Sequence, residues 1–348
     1  MQTNLARNIL SVKCRHIAFA NDPYESLERM PIHGKSDRAV PIALIVHGGA
    51  GSRGPANERG ARKRAIMNAV KAGASIVRDG GSALDAVIAS VVILEDDPLF
   101  NAGYGSTLNL DGAVEMDASV MVAADGETKA GAVAAVSRVK NPVSLARAVM
   151  DHTPHVMMAG HGAERFARDQ GIKLCDPDSM IAPRARERFL ARLKAQHELG
   201  FARGRHGTVG AVALDIHGQL AAATSTGGVP GKMVGRIGDS AIIGAGTFAS
   251  ATAAASATGH GEAIIMASLC REVVEAIGKS DPTRIARRKI VELIASQNSE
   301  AGVILVDRRG RIGYAHNAET MEVGIFDSAG AMHHQWAAPM PKPRKPRK

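Results

Sequence analysis

The chain has 348 residues, with 43 lysines and arginines against 34 aspartates and glutamates, so its formal net charge is +9. A composition of 45% hydrophobic and 22% charged residues is typical of a globular protein and excludes a disordered or fibrous chain. The three cysteines form no CxxC pair, and no apolar run approaches the roughly 20 residues that span a bilayer. We therefore expect a protein of the cytoplasm without a membrane partner.

The excess of positive charge is confined to two segments. Residues 342–348 contain five basic and no acidic side chains, and residues 183–205 contain seven basic against two acidic ones. Because the rest of the chain is close to neutral, we expect no basic face on the folded body and no nucleic-acid partner. We interpret the segments as a solvated basic linker over about 171–207 and a basic tail over 336–348. Binding of DNA or RNA through them is the alternative hypothesis.

The first part of the chain predicts an extension followed by a strand and two helices. Residues 1–40 show no sustained hydrophobic period, so we interpret them as an extension that precedes a single domain over 41–335. PIALIVHGGAG predicts a buried strand that runs into a glycine turn, and a helix follows over about 57–78. Ser82 is placed to cap a second helix, which ends before Pro98.

The later elements indicate the fold class. AVEMDASVMVA and AGAVAAV predict strands, and helices are predicted in NPVSLARAVMDHTPH and GAERFARDQG. VGAVALDIHGQLAAATSTGG and GVILVDRRGRIGYAHN have the pattern of β-hairpins, with a helix pair over roughly 262–297 between them. Strands in hairpins and helices in consecutive pairs favour an α+β fold, in which mostly antiparallel sheets are covered by helical layers, over a doubly wound parallel sheet.

One familiar motif occurs without its structural context. Gly49, Gly51 and Gly54 match GxGxxG between a predicted strand and a predicted helix, as in dinucleotide-binding proteins. That site needs a second parallel strand with an acidic residue about 20 positions further on, whereas Asp79 lies at a junction between two helices. The chain also has no GxSxG elbow and no HExxH motif. These patterns do not favour NAD, serine-triad or metal chemistry.

Three separated blocks carry the most distinctive residues: IVHGGAG at 45–51, LEDDPLFNAGYGSTLN with EMDAS within 94–119, and GTVGAVALD through TGHGE, which ends at Glu262. In this order they resemble the plant-type L-asparaginase and isoaspartyl peptidase family of N-terminal nucleophile hydrolases, over about 43–325. The resemblance implies an αββα sandwich of two mostly antiparallel sheets between helical layers. It also implies hydrolysis of L-asparagine or β-aspartyl dipeptides to L-aspartate, no organic cofactor, and self-association as an (αβ)2 heterotetramer.

The resemblance further implies self-cleavage between Gly207 and Thr208. The products would be an α chain of residues 1–207 and a β chain of residues 208–348. A threonine hydroxyl is a weak nucleophile at neutral pH, but a free α-amine with a pKa of about 8 can act as its base within the same residue. Cleavage would therefore create both catalytic groups at once. The alternative role of Thr208 is β-branched filling at the start of a strand.

Three further residues have roles implied by the resemblance. Thr226, which shares a strand face with Thr224, corresponds to the residue that hydrogen-bonds the hydroxyl of the nucleophile. Arg236 and Asp239 correspond to a substrate clamp, in which the guanidinium grips an α-carboxylate and the carboxylate accepts from an α-ammonium. The alternatives are a surface threonine at a strand end and a structural ion pair between Arg236 and Asp239.

The resemblance also implies an oxyanion hole and an ion site. Thr258 and Gly259 would supply a hydroxyl and an amide donor, each contributing about 3 kcal/mol, and Gly259 and Gly261 let the backbone approach the substrate. Asn101 corresponds to a residue near the nucleophile. Backbone carbonyls of one loop would hold a structural sodium or potassium ion. The candidate residues of that loop are Leu94, Glu95, Asp97, Phe100, Ala102 and Tyr104.

Two alternative functions stay open at this point. A glycosylasparaginase, which acts on sugar-linked asparagine, shares the fold. The resemblance implies an aspartate before the nucleophilic threonine in that enzyme, whereas glycine precedes Thr208 here. An uncleaved, non-catalytic binding protein would result if His206 and the shortened loop before Thr258 disable the site. General proteolysis is not expected, because an α-peptide bond would misplace the groups that Arg236 and Asp239 bind.

Overall fold

The computed structural model describes residues 41–194 and 207–340. The first range contains β1 (Ala43–Gly51), α1 (Arg59–Arg78), α2 (Ala83–Glu95), β2 (Met116–Ala124), β3 (Glu127–Val136), α3 (Pro142–His152), β4 (Met157–Ala159), α4 (Gly160–Asp169) and α5 (Pro183–Lys194). The second contains β5 (Val209–Leu214), β6 (Leu220–Thr226), β7 (Thr247–Ala249), β8 (Ala253–Gly259), α6 (Gly261–Ala267), α7 (Leu269–Glu275), α8 (Pro282–Gln297), β9 (Ala301–Asp307), β10 (Ile312–His316), β11 (Thr320–Phe326) and β12 (Met332–Ala337). The predicted N-terminal extension, the end of the linker and most of the tail lie outside the described residues.

The strands of the described residues form two sheets. The larger has eight strands in the order β12-β11-β1-β5-β6-β2-β3-β4, and the smaller has four in the order β10-β9-β8-β7. Neighbouring strands are antiparallel except β3 and β4, which are parallel. The predicted α+β class with mostly antiparallel sheets is therefore confirmed.

Three hydrophobic cores lie between the two sheets and the helices that cover them. The first lies between the large sheet and the helices α1 to α4, the second between the two sheets, and the third between the small sheet and the helices α6 to α8. In β1, Leu44 and Val46 belong to the first core and Ile45 to the second. Since successive side chains of a strand point to opposite faces, a strand covered on both faces needs a continuous apolar run such as ALIV.

Residues on both sides of position 208 contribute to the large sheet. β1 comes from the first part of the chain, yet it pairs with β11 on one edge and β5 on the other, both from the second part. β2 likewise pairs with β6. The two parts are thus interleaved within one sheet.

Several elements differ from the predictions. The expected helix pair over 262–297 is three helices, because Ser268 adopts a left-handed conformation with φ of 46° and ends α6. The segment interpreted as a solvated linker forms α5, whose Ala185 is buried. β12 extends into the predicted tail as far as Ala337. Among the described residues, no helix is both long and apolar enough to cross a bilayer.

Candidate functional site

Two threonine hydroxyls lie next to each other, one at the start of β5 and the other at the end of β6. Thr208 directly precedes β5, is 4% exposed, and donates its hydroxyl to Oγ1 of Thr226 over 3.3 Å. Thr226 is the last residue of β6, the antiparallel neighbour of β5, and its Oγ1 accepts from the backbone N–H of Gly228 at 3.0 Å. The structure therefore brings together the two threonines that the sequence analysis singled out, one oriented by the other.

A cleft of about 220 Å³ opens at these hydroxyls. Its lining contains seven of the predicted site residues together with Gly228 and Val229; the seven are Gly207, Thr208, Thr226, Arg236, Asp239, Gly259 and Gly261. Arg236 and Asp239 gather around Gly261, where a Cβ would lie 2.7 Å from Nη2 of Arg236 and 3.0 Å from Oδ1 of Asp239. Glycine at 261 is thus required for this close approach.

Asp239 is the unsatisfied charge of the cleft. Its residue is 3% exposed, and its Oδ2 atom is buried without a hydrogen-bond partner among the described residues. Burial raises the pKa of Asp239 to about 7, against the opposing attraction of Arg236. A buried acceptor without a donor costs free energy, which a ligand ammonium in the cleft would recover.

Arg236 is oriented by a residue that the sequence analysis did not single out. Its Nε and Nη2 atoms donate to Oε1 and Oε2 of Glu262, each at 2.8 Å. The structural ion pair of this arginine is therefore with Glu262, and not with Asp239 as the alternative interpretation had it. Burial acts to raise the pKa of Glu262, but the contact with Arg236 holds this pKa below its ordinary value. The bidentate contact fixes the plane of the guanidinium and leaves Nη1 outside it.

Two carboxylates and a lysine tie the loop that carries Arg236 to β2. The backbone N–H of Gly235 donates to Glu115 Oε1 at 3.0 Å, and that of Gly238 donates to Asp117 Oδ2 at 2.9 Å. Lys232 is fully buried, and its Nζ donates to the carbonyl of Glu115 at 2.8 Å. Burial raises the pKa of Asp117 and lowers that of Lys232, while their mutual attraction opposes both shifts. The sequence signal for this network was a pair of acidic residues inside an otherwise apolar strand.

Asn101 supports the turn behind the threonines. Its Nδ2 donates to the carbonyl of Gly228 at 2.6 Å, and its own carbonyl accepts from the N–H of Gly227 at 3.0 Å. A Cβ at Gly207 would lie 3.1 Å from the Cβ of Asn101. The structure thus places Asn101 beside the predicted cleavage site, where it positions the Gly228 amide that binds Thr226.

The two residues predicted for the oxyanion hole differ in their access to the cleft. Gly259 lines it with φ of +140°, and a Cβ there would lie 2.4 Å from the carbonyl oxygen of Glu300, so glycine is required. Thr258 is fully buried and does not line the cleft. Its Oγ1 accepts from the N–H of Ala50 at 3.1 Å, which leaves the hydroxyl hydrogen itself available for donation.

His47 lies close to the threonines and was also missed. It is fully buried, faces Gly210 of β5, and its Nε2 is 3.0 Å from Oγ of Ser256 in the second sheet. Burial lowers the pKa of His47 to about 3, although a hydrogen bond with the Thr208 backbone opposes that shift. The imidazole is therefore neutral at physiological pH, and it connects the two sheets beneath the cleft.

Carbonyl groups converge in the loop predicted to hold an ion. A Cβ at Gly105 would lie 2.0 Å from the carbonyl oxygen of Phe100 and 3.0 Å from that of Asp97, and one at Gly103 would lie 2.4 Å from that of Glu95. Neutral oxygen donors in such a cradle fit a hard cation. In the ranges 41–194 and 207–340, no group of three or more His, Cys, Asp or Glu side chains is arranged to hold a metal.

The α+β fold and a threonine-centred cleft with an arginine and an unpaired carboxylate define a hydrolase. The family model described as asparaginase matches residues 40–335, and the chain belongs to the asparaginase family. It is similar to the isoaspartyl peptidase/L-asparaginase of Mus musculus, with 43% identity over 80% of this chain and 86% of that protein. The homologous human protein of the same name is 45% identical over 66% of this chain and 74% of its own length. The plant-type L-asparaginase of Pyrococcus abyssi is 41% identical over 82% of this chain and 96% of that protein.

Proposed function

We propose that the protein is a self-activating isoaspartyl peptidase and L-asparaginase with the N-terminal nucleophile hydrolase fold. The observation that carries this proposal is the hydroxyl of Thr208 beside that of Thr226, in a cleft that also contains Arg236 and the unpaired Asp239. Relatives named isoaspartyl peptidase/L-asparaginase and plant-type L-asparaginase support it. No feature of the described residues favours a glycosylasparaginase or a non-catalytic binding protein.

The first reaction is cleavage of the chain itself. Oγ1 of Thr208 attacks the carbonyl carbon of Gly207, the C–N bond between the two residues breaks, and the nitrogen takes a proton to become the α-amine of Thr208. Water then hydrolyses the ester between Gly207 and Oγ1, which leaves a carboxylate on Gly207 and restores the hydroxyl. Before the attack, Thr226 accepts from the Thr208 hydroxyl and thereby holds the attacking oxygen in place.

Turnover repeats this chemistry on a substrate. The α-amine of Thr208 removes the hydroxyl proton, and Oγ1 attacks the side-chain carbonyl of L-asparagine or of a β-aspartyl peptide. The proton passes to the leaving nitrogen, which departs as ammonia or an amine, and water then releases L-aspartate from the ester. We assign the oxyanion contact to the Gly259 amide, because Gly259 lines the cleft and Thr258 does not.

The clamp selects the aspartyl part of the substrate. The guanidinium of Arg236, oriented by Glu262, binds the α-carboxylate, and Asp239 accepts from the α-ammonium. The α-carboxylate and the α-ammonium of the substrate are both charged. An amide without them leaves Asp239 without a donor and therefore binds poorly. Free L-asparagine and β-aspartyl peptides carry both groups on the aspartyl unit.

Three further assignments belong to the same proposal. The carbonyls of Glu95, Asp97 and Phe100 would hold a sodium or potassium ion, whose role is to fix the loop that carries Asn101. The cleaved chains would associate as an (αβ)2 heterotetramer in the cytoplasm. A melting temperature that rises when sodium replaces choline in the buffer would support the ion site, and light scattering of the cleaved protein would give the assembly mass.

The test of the proposal is the intact mass of the denatured protein after incubation near neutral pH, combined with assays on L-asparagine and a β-aspartyl dipeptide. We expect two fragments separated between Gly207 and Thr208, and release of aspartate from both substrates. Thr208→Ala should give one uncut chain and no aspartate. A wild-type chain that stays uncut and inactive would overturn the proposal in favour of a binding protein.

A further inference from the structure

A second, much larger opening adjoins the catalytic cleft at Gly207. This groove encloses about 2840 Å³, including open solvent at its mouth, and its lining shares Gly207 with the 220 Å³ cleft. Asn101 and Gly49 line it as well, and a Cβ at Gly49 would lie 3.2 Å from the backbone nitrogen of Thr208. The groove therefore begins at the α-amine that cleavage would expose.

The charge of the groove lining is strongly one-sided. Among the residues that the structure describes, six arginines line it against three glutamates: Arg53, Arg59, Arg62, Arg184, Arg188 and Arg192 against Glu58, Glu187 and Glu319. Arg184 pairs with Glu58 and Arg62 pairs with Glu322, and Arg188 and Arg192 also have interaction partners. Arg53 and Arg59 are exposed and form no hydrogen bond or ion pair within the described ranges. Among the described lining residues, arginines thus outnumber glutamates, and Arg53 and Arg59 are the lining arginines whose charge is not paired.

Part of this wall is the segment that the sequence analysis interpreted as a solvated linker. Arg184, Arg188 and Arg192 are spaced by four residues on α5, so they share one helix face, and all three line the groove. Arg192 is held there by donating to the carbonyl of Pro230, next to Gly231, whose Cβ would lie 2.8 Å from the Arg192 guanidinium carbon. The basic charge of this segment is therefore directed towards the site.

The geometry of the reaction decides which part of a substrate meets this wall. In the proposed function Arg236 and Asp239 bind the aspartyl unit, so we expect the leaving nitrogen to face away from this clamp, and Gly207 lines both the cleft and the groove. Ammonia from L-asparagine leaves almost all of the groove empty. The leaving amino acid or peptide of a β-aspartyl substrate extends into the groove. When the substrate is a β-aspartyl dipeptide, the leaving amino acid carries a free α-carboxylate.

We propose that the arginine-lined groove is a leaving-group site that selects β-aspartyl peptides whose leaving residue carries negative charge, from its α-carboxylate and from acidic side chains. This inference rests on the proposed function and adds the substrate class to it. Guanidinium groups suit carboxylates because their donors match both oxygens, and the attraction acts in addition to the clamp. The preference weakens with salt, since exposed charges are screened over about 8 Å at physiological ionic strength.

The experiment compares kcat/KM for β-Asp-Glu, β-Asp-Leu, β-Asp-leucinamide and L-asparagine at low and high salt. We expect β-Asp-Glu to be cleaved fastest among the peptides and the neutral leucinamide slowest, with a difference that shrinks in high salt. In the double variant Arg53→Gln/Arg59→Gln, the ratio of kcat/KM for β-Asp-Glu to that for L-asparagine should fall about fivefold, the size expected for two exposed charge contacts. Arg287→Gln, an exposed arginine on α8 away from the groove lining, should leave that ratio unchanged.

Three outcomes would overturn the inference, and they are distinguishable. If L-asparagine and all three peptides are hydrolysed but the charged and neutral leaving groups react equally, the groove does not select charge while the proposed function stands. If the double variant and Arg287→Gln change the ratio alike, the effect is general electrostatics and not a site. A protein that yields no fragments and no aspartate from any substrate overturns the proposed function, and the leaving-group site with it.

Discussion

Thr226 illustrates how much one hydroxyl is expected to contribute at this site. Its Oγ1 accepts from both Thr208 and the amide of Gly228, and valine would remove the acceptor with little change of shape. We expect Thr226→Val to slow self-cleavage and to lower kcat of the cleaved fraction about a hundredfold, with a much smaller change in KM, because the attacking oxygen is no longer oriented. Timed fragment analysis and steady-state kinetics measure the two effects.

Thr224→Val is the matched control, since Thr224 lies two residues earlier on the same strand. Its hydroxyl contacts the carbonyl of Gly246 at 2.9 Å and Oγ of Ser256 at 2.7 Å, both fully within the protein interior. We expect this variant to lose about 1–2 kcal/mol of unfolding free energy while keeping its cleavage. Equal loss of cleavage in both variants would contradict a specific role for Thr226.

Asp239 gives the proposed site a pH dependence with a defined sign. Its pKa of about 7 means that the carboxylate is largely protonated below pH 7, and a neutral acid cannot pair with the ligand ammonium. Binding of L-aspartate as product inhibitor should therefore weaken about tenfold between pH 8 and pH 6, as the inhibition constant shows. In Asp239→Asn the inhibition constant should be higher throughout and should not change over this interval. A wild-type constant that is flat in pH would contradict the ammonium contact.

At this scale the sequence identified residues that line the cleft and the supporting residue Asn101, but not Glu262, Lys232 or His47. Thr208, Thr226, Arg236, Asp239 and Gly259 all line it, as expected from their motifs. Glu262, Lys232 and His47 act through contacts between residues far apart in the chain, such as the bond between Lys232 and Glu115. Neither periodicity nor local spacing encodes such contacts, so the supporting residues could be found only in three dimensions.

In the proposed function, substrate selection depends on the loop from Gly228 to Asp239, and a buried ionic network holds this loop. Lys232 contacts the Glu115 carbonyl and attracts Asp117, which itself accepts from the Gly238 amide. Lys232→Met would leave Asp117 buried without its counter-charge, so we expect unfolding free energy to fall by about 3 kcal/mol or more. KM should also rise, because the loop that carries Arg236 loses its anchor. Urea unfolding and kinetics measure these two effects.

Lys140→Met serves as the comparison for this prediction. Lys140 pairs with Asp96 at 2.9 Å, but the two side chains are 57% and 39% exposed. Because exposed ion pairs contribute little, we expect a change below about 1 kcal/mol and no change in KM. A similar small effect in both variants would show that Lys232 does not stabilise the loop.

Elements were predicted best where burial imposes a strong pattern. The hairpins of β5 with β6 and β9 with β10 and the capped helix α2 all occur at their predicted places, and Ser82 accepts from the Asp85 amide as expected. α5 was missed because its stripe of arginines gives no apolar period, and only Ala185 on that helix is buried. The break between α6 and α7 depends on one left-handed serine, which has no sequence signature of its own.

On the scale of the whole molecule, the interleaved large sheet determines what cleavage at Gly207 can do. β1 is held by β5 and β11, and β2 by β6, so each half of the chain has its partners in the other half. We expect the two fragments to migrate as one particle in size-exclusion chromatography without denaturant and to separate only in denaturant. Fragments that elute apart under native conditions would contradict this topology.

The same interleaving makes the proposed activation a one-way event for folding. An uncut chain regains its sheet order by a unimolecular reaction, whereas two fragments must meet again in solution, and each would first expose strand edges that normally have partners. Refolding of the mature protein therefore becomes concentration-dependent, and its lifetime is governed by the rate of unfolding and not by an equilibrium. The enzyme would be assembled once, as a single chain, and thereafter persist only for as long as it remains folded.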